Sequence, residues 1–394
     1  MIDDRQAKKN TALLSLGQAL YGSNTAVLVT LSGLAGGYLS PNPAYATLPW
    51  SALVIGTALS TLPASYFMRR TSRRHGFLLG TLSSMVGMAL AITGLLQQSF
   101  LVFCVGMMFA GVYQAFAGFY RFAAADSASD EFRPKAISWV MAGGVVAAFV
   151  GGQLVSVSQD WLGPVPFVGG YATCAALAVL AFIVMCFIDI PPLGADEQKE
   201  TGRPVREIFA QPTVLVAVAC GMIGYGIMTL VMTATPIAMV GCGFDVRDAG
   251  QVIQWHIFMM FAPSFFTGSL IARFGVTRII SVGLLCLTGC GLVALSGLEF
   301  ERFLIALLLL GLGWNFTFIG GTTLLTTSYT VAERNKVQAT NDFLVFGVVA
   351  IASFASGGLL NGFGWGAVNY ALFPFVLAAA GLLVWFNVQK PATA

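Results

Sequence analysis

The stretch that decides the fold lies at residues 65–76 and reads Ser-Tyr-Phe-Met-Arg-Arg-Thr-Ser-Arg-Arg-His-Gly. It carries four arginines in a chain whose charged residues amount to only 9%. Apolar runs long enough to cross a bilayer lie on both sides of it. Because Lys and Arg stay on the cytoplasmic side of a membrane, the stretch is predicted to be a short cytoplasmic loop between two membrane spans.

The composition places the whole chain in a membrane. Of its 394 residues, 57% are hydrophobic, and the mean hydropathy is +0.81. Soluble domains are roughly half apolar and about a quarter charged, so this chain falls outside their range. A helical span needs about 20 apolar residues, and the length therefore allows about a dozen spans joined by short loops.

The apolar runs predict twelve transmembrane helices. They lie at residues 12–37, 47–68, 76–97, 99–120, 136–158, 167–189, 212–240, 249–271, 279–297, 303–329, 337–361 and 367–388. One polar, proline-bearing link divides them six and six. We therefore predict an all-α polytopic membrane protein, with an N-terminal six-helix bundle over 1–190, a cytoplasmic linker over 191–211 and a C-terminal six-helix bundle over 212–394.

The charge distribution supports this count and gives an orientation. With both termini cytoplasmic, all of the 20 Lys and Arg residues except Arg247 and Arg302 fall on the cytoplasmic side. An error in the number of spans would scramble this sorting. We accordingly read the N-terminal apolar run as a retained first span rather than as a signal peptide.

A second, weaker copy of the basic loop occurs at residues 268–278, Gly-Ser-Leu-Ile-Ala-Arg-Phe-Gly-Val-Thr-Arg. A second pair of landmarks, Glu-Phe-Arg-Pro-Lys at 131–135 and Glu-Arg-Asn-Lys at 333–336, is separated by nearly the same offset. Any cytoplasmic loop attracts Arg and Lys, but the common offset indicates a duplicated six-helix unit.

These features resemble the major facilitator superfamily over nearly the whole chain. That family carries G-x-x-x-D-[RK]-x-G-[RK]-[RK] between its second and third spans. Here Ser65 takes the first glycine position and Arg69 takes that of the aspartate, while the second copy retains Gly268, Arg273 and Gly275. The resemblance implies two six-helix halves related by pseudo-twofold symmetry, alternating access and, in a bacterium, location in the inner membrane.

In the family this loop acts as a latch of the inner gate, through a carboxylate at a helix N-terminus. An arginine cannot replace that carboxylate, since it would face the positive end of the helix dipole. The latch must then use other groups, with Asp126, Asp130, Glu131 or Glu333 as partners of the loop arginines, or else the arginines serve topology alone. The gating and coupling candidates are Arg69, Arg70, Arg73, Arg74, Arg121, Asp126, Arg273 and Asp342.

The resemblance also implies a central cavity lined by spans one, four, seven and ten, assisted by two, five, eight and eleven. Amides, hydroxyls and indoles dominate their polar positions, which suits a neutral or weakly charged planar solute. As alternatives, these side chains anchor the interface or join helices, and His256 is structural. The substrate-binding candidates are Gln18, Tyr21, Thr25, Tyr113, Gln114, Tyr225, Trp255, Trp314, Asn315 and Asn341.

The predicted function is secondary active transport of a small organic solute. Residues 120–152 are similar to a bacterial branch associated with riboflavin uptake, which makes uptake of such a vitamin the first expectation. The alternative is proton-coupled efflux of drugs or metabolites, which requires a titrating membrane acid such as Asp342. Paired glycines in the fifth span resemble those of drug antiporters, but the proline of that motif is missing.

Other classes find little support in the sequence. Phosphate-binding glycine loops and nucleophile–base arrangements are missing, and the cysteines lack the neighbouring ligands of a zinc site. We therefore expect no enzymatic activity, no cofactor, no metal and no nucleic-acid partner. The expected partners are a small-molecule substrate and the lipid bilayer, and the expected state is a monomer.

Overall fold

The structure is a computed structural model that describes residues 4–129, 132–158, 161–190, 202–330 and 333–389. Within these residues every regular element is a helix. A short 3₁₀ helix spans Pro43–Tyr45. The α-helices are α1 (Asp4–Leu39), α2 (Leu48–Arg70), α3 (Arg73–Leu96), α4 (Phe100–Ala117), α5 (Tyr120–Asp126), α6 (Arg133–Ser158), α7 (Val168–Cys186), α8 (Val205–Phe209), α9 (Pro212–Gly241), α10 (Val246–Phe261), α11 (Ser264–Phe274), α12 (Val276–Ala294), α13 (Phe300–Thr326), α14 (Arg334–Tyr370) and α15 (Leu372–Gln389).

The helices lie close to the predicted spans. In the described part of the chain, nine segments are long and apolar enough to cross a membrane, and the bent pair α10–α11 makes a tenth. The segment Lys336–Val388 counts once although Gly364, at φ 80°, interrupts its helical backbone. Helix α1 is 36 residues long but is not among these segments. Twelve spans thus remain a prediction.

The predicted eighth span is broken rather than continuous. Helix α10 ends at Phe261, α11 begins at Ser264, and the two axes differ by 42°. Pro263 lies between them. Proline has no backbone N–H to donate and its ring clashes with the preceding turn, so a continuous helix over 249–271 was the wrong prediction.

The helices pack as two groups that follow the order of the chain. In the first helical group, α1–α7, helix α1 lies against α6 and α7 while α4 lies against α2 and α3. In the second helical group, α8–α15, helix α9 lies against α13 and α14, and α12 lies against α13. The groups meet mainly where α2 contacts α14 and α6 contacts α10.

The contact between α2 and α14 defines what we call the closed end. The Thr47 hydroxyl donates to the Ser353 carbonyl oxygen at 2.9 Å, and the Ser51 and Ser353 hydroxyls share a hydrogen bond of 2.9 Å. Gly357 approaches so closely that an added Cβ would lie 2.5 Å from Thr47 Oγ1 and 2.9 Å from the Ala44 carbonyl oxygen. Small side chains therefore bring the two groups together here.

Candidate substrate cavity

Away from the closed end, the two helical groups enclose a cavity of about 430 Å³. Asp342 in its wall precedes Ser353 on α14, so the cavity lies roughly 16 Å from the closed end along that helix. Helices α5, α13 and α14 and the loop after α13 supply its walls. The lining residues are Arg121, Phe122, Phe318, Thr322, Leu325, Thr326, Tyr329, Gln338, Asn341 and Asp342.

Among the residues that the structure describes, the cavity lining contains one cationic and one anionic side chain. Arg121 lies on the short helix α5, and its guanidinium is 4.8 Å from the centre of the Phe122 ring. Asp342 lies on α14, where its Oδ1 accepts a hydrogen bond of 3.1 Å from Asn341 Nδ2. The two charges come from different helical groups and are close enough to attract each other. The cavity thus carries opposite charges from the two helical groups.

An aromatic cluster stands behind the cavity wall. The rings of Trp314 and Phe318 stack at 5.0 Å with an interplanar angle of 12°. Tyr225 meets both rings edge-on, with centroids 5.4 Å away in each case. Because Phe318 also lines the cavity, it brings this aromatic cluster into contact with a ligand there, which favours a planar aromatic solute.

Several predicted site residues come together at this place. Arg121, Asn341 and Asp342 line the cavity itself. Tyr225 lies close enough to Arg121 and Asp342 to interact with both charges, and Trp314 supports Phe318 from behind. The structure thus brings candidates from spans four, seven, ten and eleven into one neighbourhood.

The candidates on the first helices lie outside this lining. Tyr21 and Tyr113 form an edge-to-face pair with centroids 5.4 Å apart. The Thr25 hydroxyl donates to the Tyr21 carbonyl oxygen at 3.0 Å, so it is used within its own helix. Gln18, on α1, and Gln114, on α4, are half-buried but do not line the cavity.

Two further candidates have other contacts. Trp255 packs edge-on against Phe149 and Phe258, with centroids 5.7 and 5.6 Å away, where α6 meets α10. Asn315 is fully buried beside the break between α10 and α11. Its Nδ2 donates to the Met260 carbonyl oxygen and to a serine hydroxyl, and its Oδ1 accepts from a threonine hydroxyl. With both atoms of its amide occupied, Asn315 holds the broken helix rather than facing the cavity.

The basic-loop candidates lie on helix surfaces. The Arg70 guanidinium is 4.3 Å from the centre of the Tyr66 ring, and that of Arg273 is 5.2 Å from the Phe274 ring. Arg73 and Arg74 begin α3, and Arg74 is exposed. Asp130, Glu131 and the side chains of Arg69 and Asp126 lie outside the part of the chain that the structure describes, so their predicted gating roles are not addressed.

The sequence reasoning missed two features near the cavity. Gln338 Nε2 donates to the Tyr329 hydroxyl at 2.9 Å, and both residues line the cavity although they lie at the ends of predicted spans. Glu333, considered above as a partner for the loop arginines, is bound instead by Arg203 of the linker. A charged residue in a polar linker is usually exposed to solvent, so this pair could not be predicted from the sequence.

A cavity lined by charged, amide and aromatic side chains between two groups of membrane-length helices is the architecture of a solute transporter. Among the described residues, no group of three or more His, Cys, Asp or Glu side chains is arranged to hold a metal ion. Residues 14–339 match the Major Facilitator Superfamily, and the chain belongs to that family.

Individual relatives extend this assignment. The chain is 45% identical over 378 residues to the riboflavin transporter RfnT of Brucella anthropi, covering 95% of both proteins. It is 30% identical over 372 residues to the uncharacterized MFS-type transporter YdeG of Bacillus subtilis, covering 90% of this chain and 85% of YdeG.

Solved structures show the same fold. A mutant of the nucleoside transporter NupG aligns with a TM-score of 0.72 at 14% identity, covering 98% of this chain and all of that one (100%). The human organic anion transporter MFSD10 (TETRAN) aligns with a TM-score of 0.67 at 15% identity, covering 96% and 99%. At such identities the likeness concerns the fold alone.

Proposed function

We propose that the protein is a secondary active transporter that takes up riboflavin across the bacterial inner membrane. The observation that carries this proposal is the 45% identity to the riboflavin transporter RfnT, which extends over 95% of both chains. The substrate is thus inferred from a relative of nearly equal length rather than from the fold.

The cavity supports a solute of this kind. Its volume of about 430 Å³ falls in the range of small-molecule pockets, roughly 300–1,000 Å³. Phe318 offers a stacking face for the tricyclic flavin ring, while the Gln338 and Asn341 amides offer donors and acceptors for its polar edge. A phosphorylated or dicarboxylic solute would call for several buried cations, whereas Arg121 is the one basic side chain among the described lining residues.

The proposed mechanism is alternating access between two six-helix halves. With both termini cytoplasmic, the cavity faces the cytoplasm and the closed end faces outward, so the structure corresponds to an inward-facing state. Loss of the contacts at the closed end, together with closure around Arg121 and Asp342, produces the outward-facing state. We propose that one monomer carries out this cycle, with its helices in contact with lipid.

A second candidate is proton-coupled efflux, and the position of Asp342 favours it. A carboxylate inside a membrane is costly and therefore marks a functional site. Asp342 lies in the cavity and interacts with Arg121, so taking up a proton would release that attraction. Protonation of Asp342 is compatible with symport as well as with antiport, so the direction of transport has to be measured.

Uptake of labelled riboflavin and of a cationic dye separates the two candidates. Both are measured with and without an uncoupler, in bacterial cells that lack their own riboflavin uptake and express this chain. We expect the vitamin to accumulate and the dye to distribute as in control cells. Failure to accumulate the vitamin at normal membrane expression would refute the proposal, and uncoupler-sensitive dye extrusion that depends on Asp342 would establish efflux.

A further inference from the structure

The linker before α9 is attached to the second helical group by one densely bonded side chain. Glu333, at the start of α14, is only 2% exposed. Its Oε1 accepts hydrogen bonds of 2.8 Å from the backbone N–H and from Nε of Arg203. Its Oε2 accepts from an Arg203 terminal nitrogen at 2.9 Å and from the Thr330 N–H at 3.0 Å. Bidentate arginine–carboxylate pairs of this kind are strong and geometrically specific.

The surrounding residues shape the linker to fit this pair. Gly202 has φ +47°, and the Glu333 side chain occupies the space where a Cβ on Gly202 would lie. The Lys336 ammonium donates to the Arg203 carbonyl oxygen. Ile208, on the short helix α8, is fully buried. The linker from residue 202 onward is therefore fixed to the second helical group.

The same bonds reach the cavity. Arg203 also donates to the Ser328 carbonyl oxygen at 3.2 Å, and Glu333 accepts from the Thr330 N–H. Ser328 and Thr330 flank Tyr329 in the chain. The Tyr329 hydroxyl accepts the hydrogen bond from Gln338 in the cavity wall. The loop that presents Tyr329 is thus held on both sides by the Arg203–Glu333 pair.

We propose that Arg203 and Glu333 are positioning residues for the transported solute, because they hold Tyr329 and Gln338 at the cavity wall. Neither residue lines the cavity. Their effect on the solute passes through the loop after α13, so breaking the pair weakens binding without removing a group that touches the solute. The inference rests on the proposed uptake function.

Protonation of Glu333 does not release this contact at neutral pH. The Arg203 guanidinium and the Thr330 N–H lower the pKa of Glu333 well below the ordinary glutamate value. A carboxylate whose folded-state pKa is lowered contributes stability above its unfolded pKa and loses it as the pH falls toward the folded value. The attachment is therefore constant across the physiological range, which makes it a fixed support rather than a pH sensor.

The test measures KM and Vmax for riboflavin uptake in Glu333→Gln and Arg203→Gln, normalised to the amount of protein in the membrane. Each variant should raise KM roughly three- to tenfold at unchanged Vmax, since hydrogen bonds to charged groups are strong and uniform binding affects KM alone. Arg203→Lys keeps the charge but loses the two-pronged geometry of the guanidinium, so its KM should lie between that of these variants and that of the wild type. Arg206→Gln, at an exposed position on α8, is the matched control and should match the wild type.

The outcomes distinguish this inference from the proposed function. Wild-type protein that takes up no riboflavin refutes the function. Wild-type uptake together with an unchanged KM in both Gln variants refutes the positioning role, and so does a fall in Vmax alone, which would indicate a role in the conformational cycle. A variant that reaches the membrane poorly is purified, and its Kd for riboflavin is measured by equilibrium dialysis; a wild-type Kd likewise refutes the inference.

Discussion

The closed end and the cavity join the same two helical groups in opposite ways. At the closed end, small neutral residues bring backbones into contact, with Ser51, Ser353 and Gly357 at the centre. At the cavity, long charged and aromatic side chains line a space of about 430 Å³. Each neutral hydrogen bond between small residues contributes little free energy and breaks at low cost. Opposite charges attract more strongly, but removing them from water costs free energy that their attraction must offset.

The difference suggests a division of labour. The closed end should determine how fast the groups exchange positions, because small neutral residues away from the cavity form it. The cavity should determine what binds and how tightly. Substitutions at the closed end are therefore expected to change Vmax, and those in the aromatic wall are expected to change KM; the following predictions test that separation.

The largest effect is expected for Asp342→Asn. The change leaves Arg121 in the cavity without its anionic neighbour. Leaving a charged group without its partner costs about 2 kcal/mol or more, so riboflavin uptake should fall by roughly thirtyfold or more. Initial uptake rates at matched expression measure this, with Glu301→Gln, an exposed acid on α13, as the control. Near-normal uptake in Asp342→Asn would remove the charge pair from the mechanism.

Gly357→Leu should have the next largest effect. A side chain at this position meets Thr47 and the Ala44 backbone, whereas a Cβ at neighbouring Gly358 meets nothing within 4 Å. Overpacking costs about 1–3 kcal/mol, which changes the population of the closed form roughly five- to hundredfold. Vmax should fall accordingly at unchanged KM, while Gly358→Leu should behave as wild type. Equal loss in both variants would show that the close approach is not what matters.

Phe318→Ala tests the aromatic wall. The change removes the ring that stacks on Trp314 and faces the cavity, so KM for riboflavin should rise about three- to tenfold with little change in Vmax. Phe375→Ala, at an exposed position on α15, controls for loss of a phenyl ring as such. A fall in Vmax at constant KM would break the proposed division between the two regions.

The smallest effect is expected for Ser51→Ala. It removes one neutral hydrogen bond of 2.9 Å to Ser353, while the bond from Thr47 to the Ser353 carbonyl oxygen remains. Such a bond contributes about 0.5–1.5 kcal/mol, so Vmax should change by roughly two- to tenfold, and KM should stay constant. Kinetic analysis of uptake in the single variant measures both quantities, and a shift in KM would contradict the assignment.

The positions of the spans could be predicted from the sequence because bilayer thickness imposes one simple length rule. The break at Pro263 could have been predicted as well, since proline inside a helix interrupts its hydrogen bonds. The hydrogen bonds of Asn315 could not be predicted, and its role in binding stays a prediction. A polar residue in a span indicates function, and only the structure reveals that a broken neighbouring helix supplies its partners.

Some cavity-lining residues are sequence candidates. Arg121, Asn341 and Asp342 were chosen because charged and amide side chains are rare in apolar runs; they lie in the lining, and their roles stay predictions. Phe318 was missed because one phenylalanine among the 31 in the chain carries no signal of its own. The Arg203–Glu333 pair joins residues far apart in sequence, and such a pairing depends on how the linker folds back, which helical periodicity does not specify.

The break between α10 and α11 has a consequence for how the sequence evolves. Asn315 Nδ2 donates to the Met260 carbonyl oxygen, which lies at the interruption before Pro263. If Pro263 were replaced by a helix former and α10 continued through this point, that oxygen would find its partner within the helix, and the buried amide would lose one of its three hydrogen bonds. A change at either position alone therefore carries a penalty that the paired change avoids. Descendants of this chain should keep or lose Pro263 and Asn315 together.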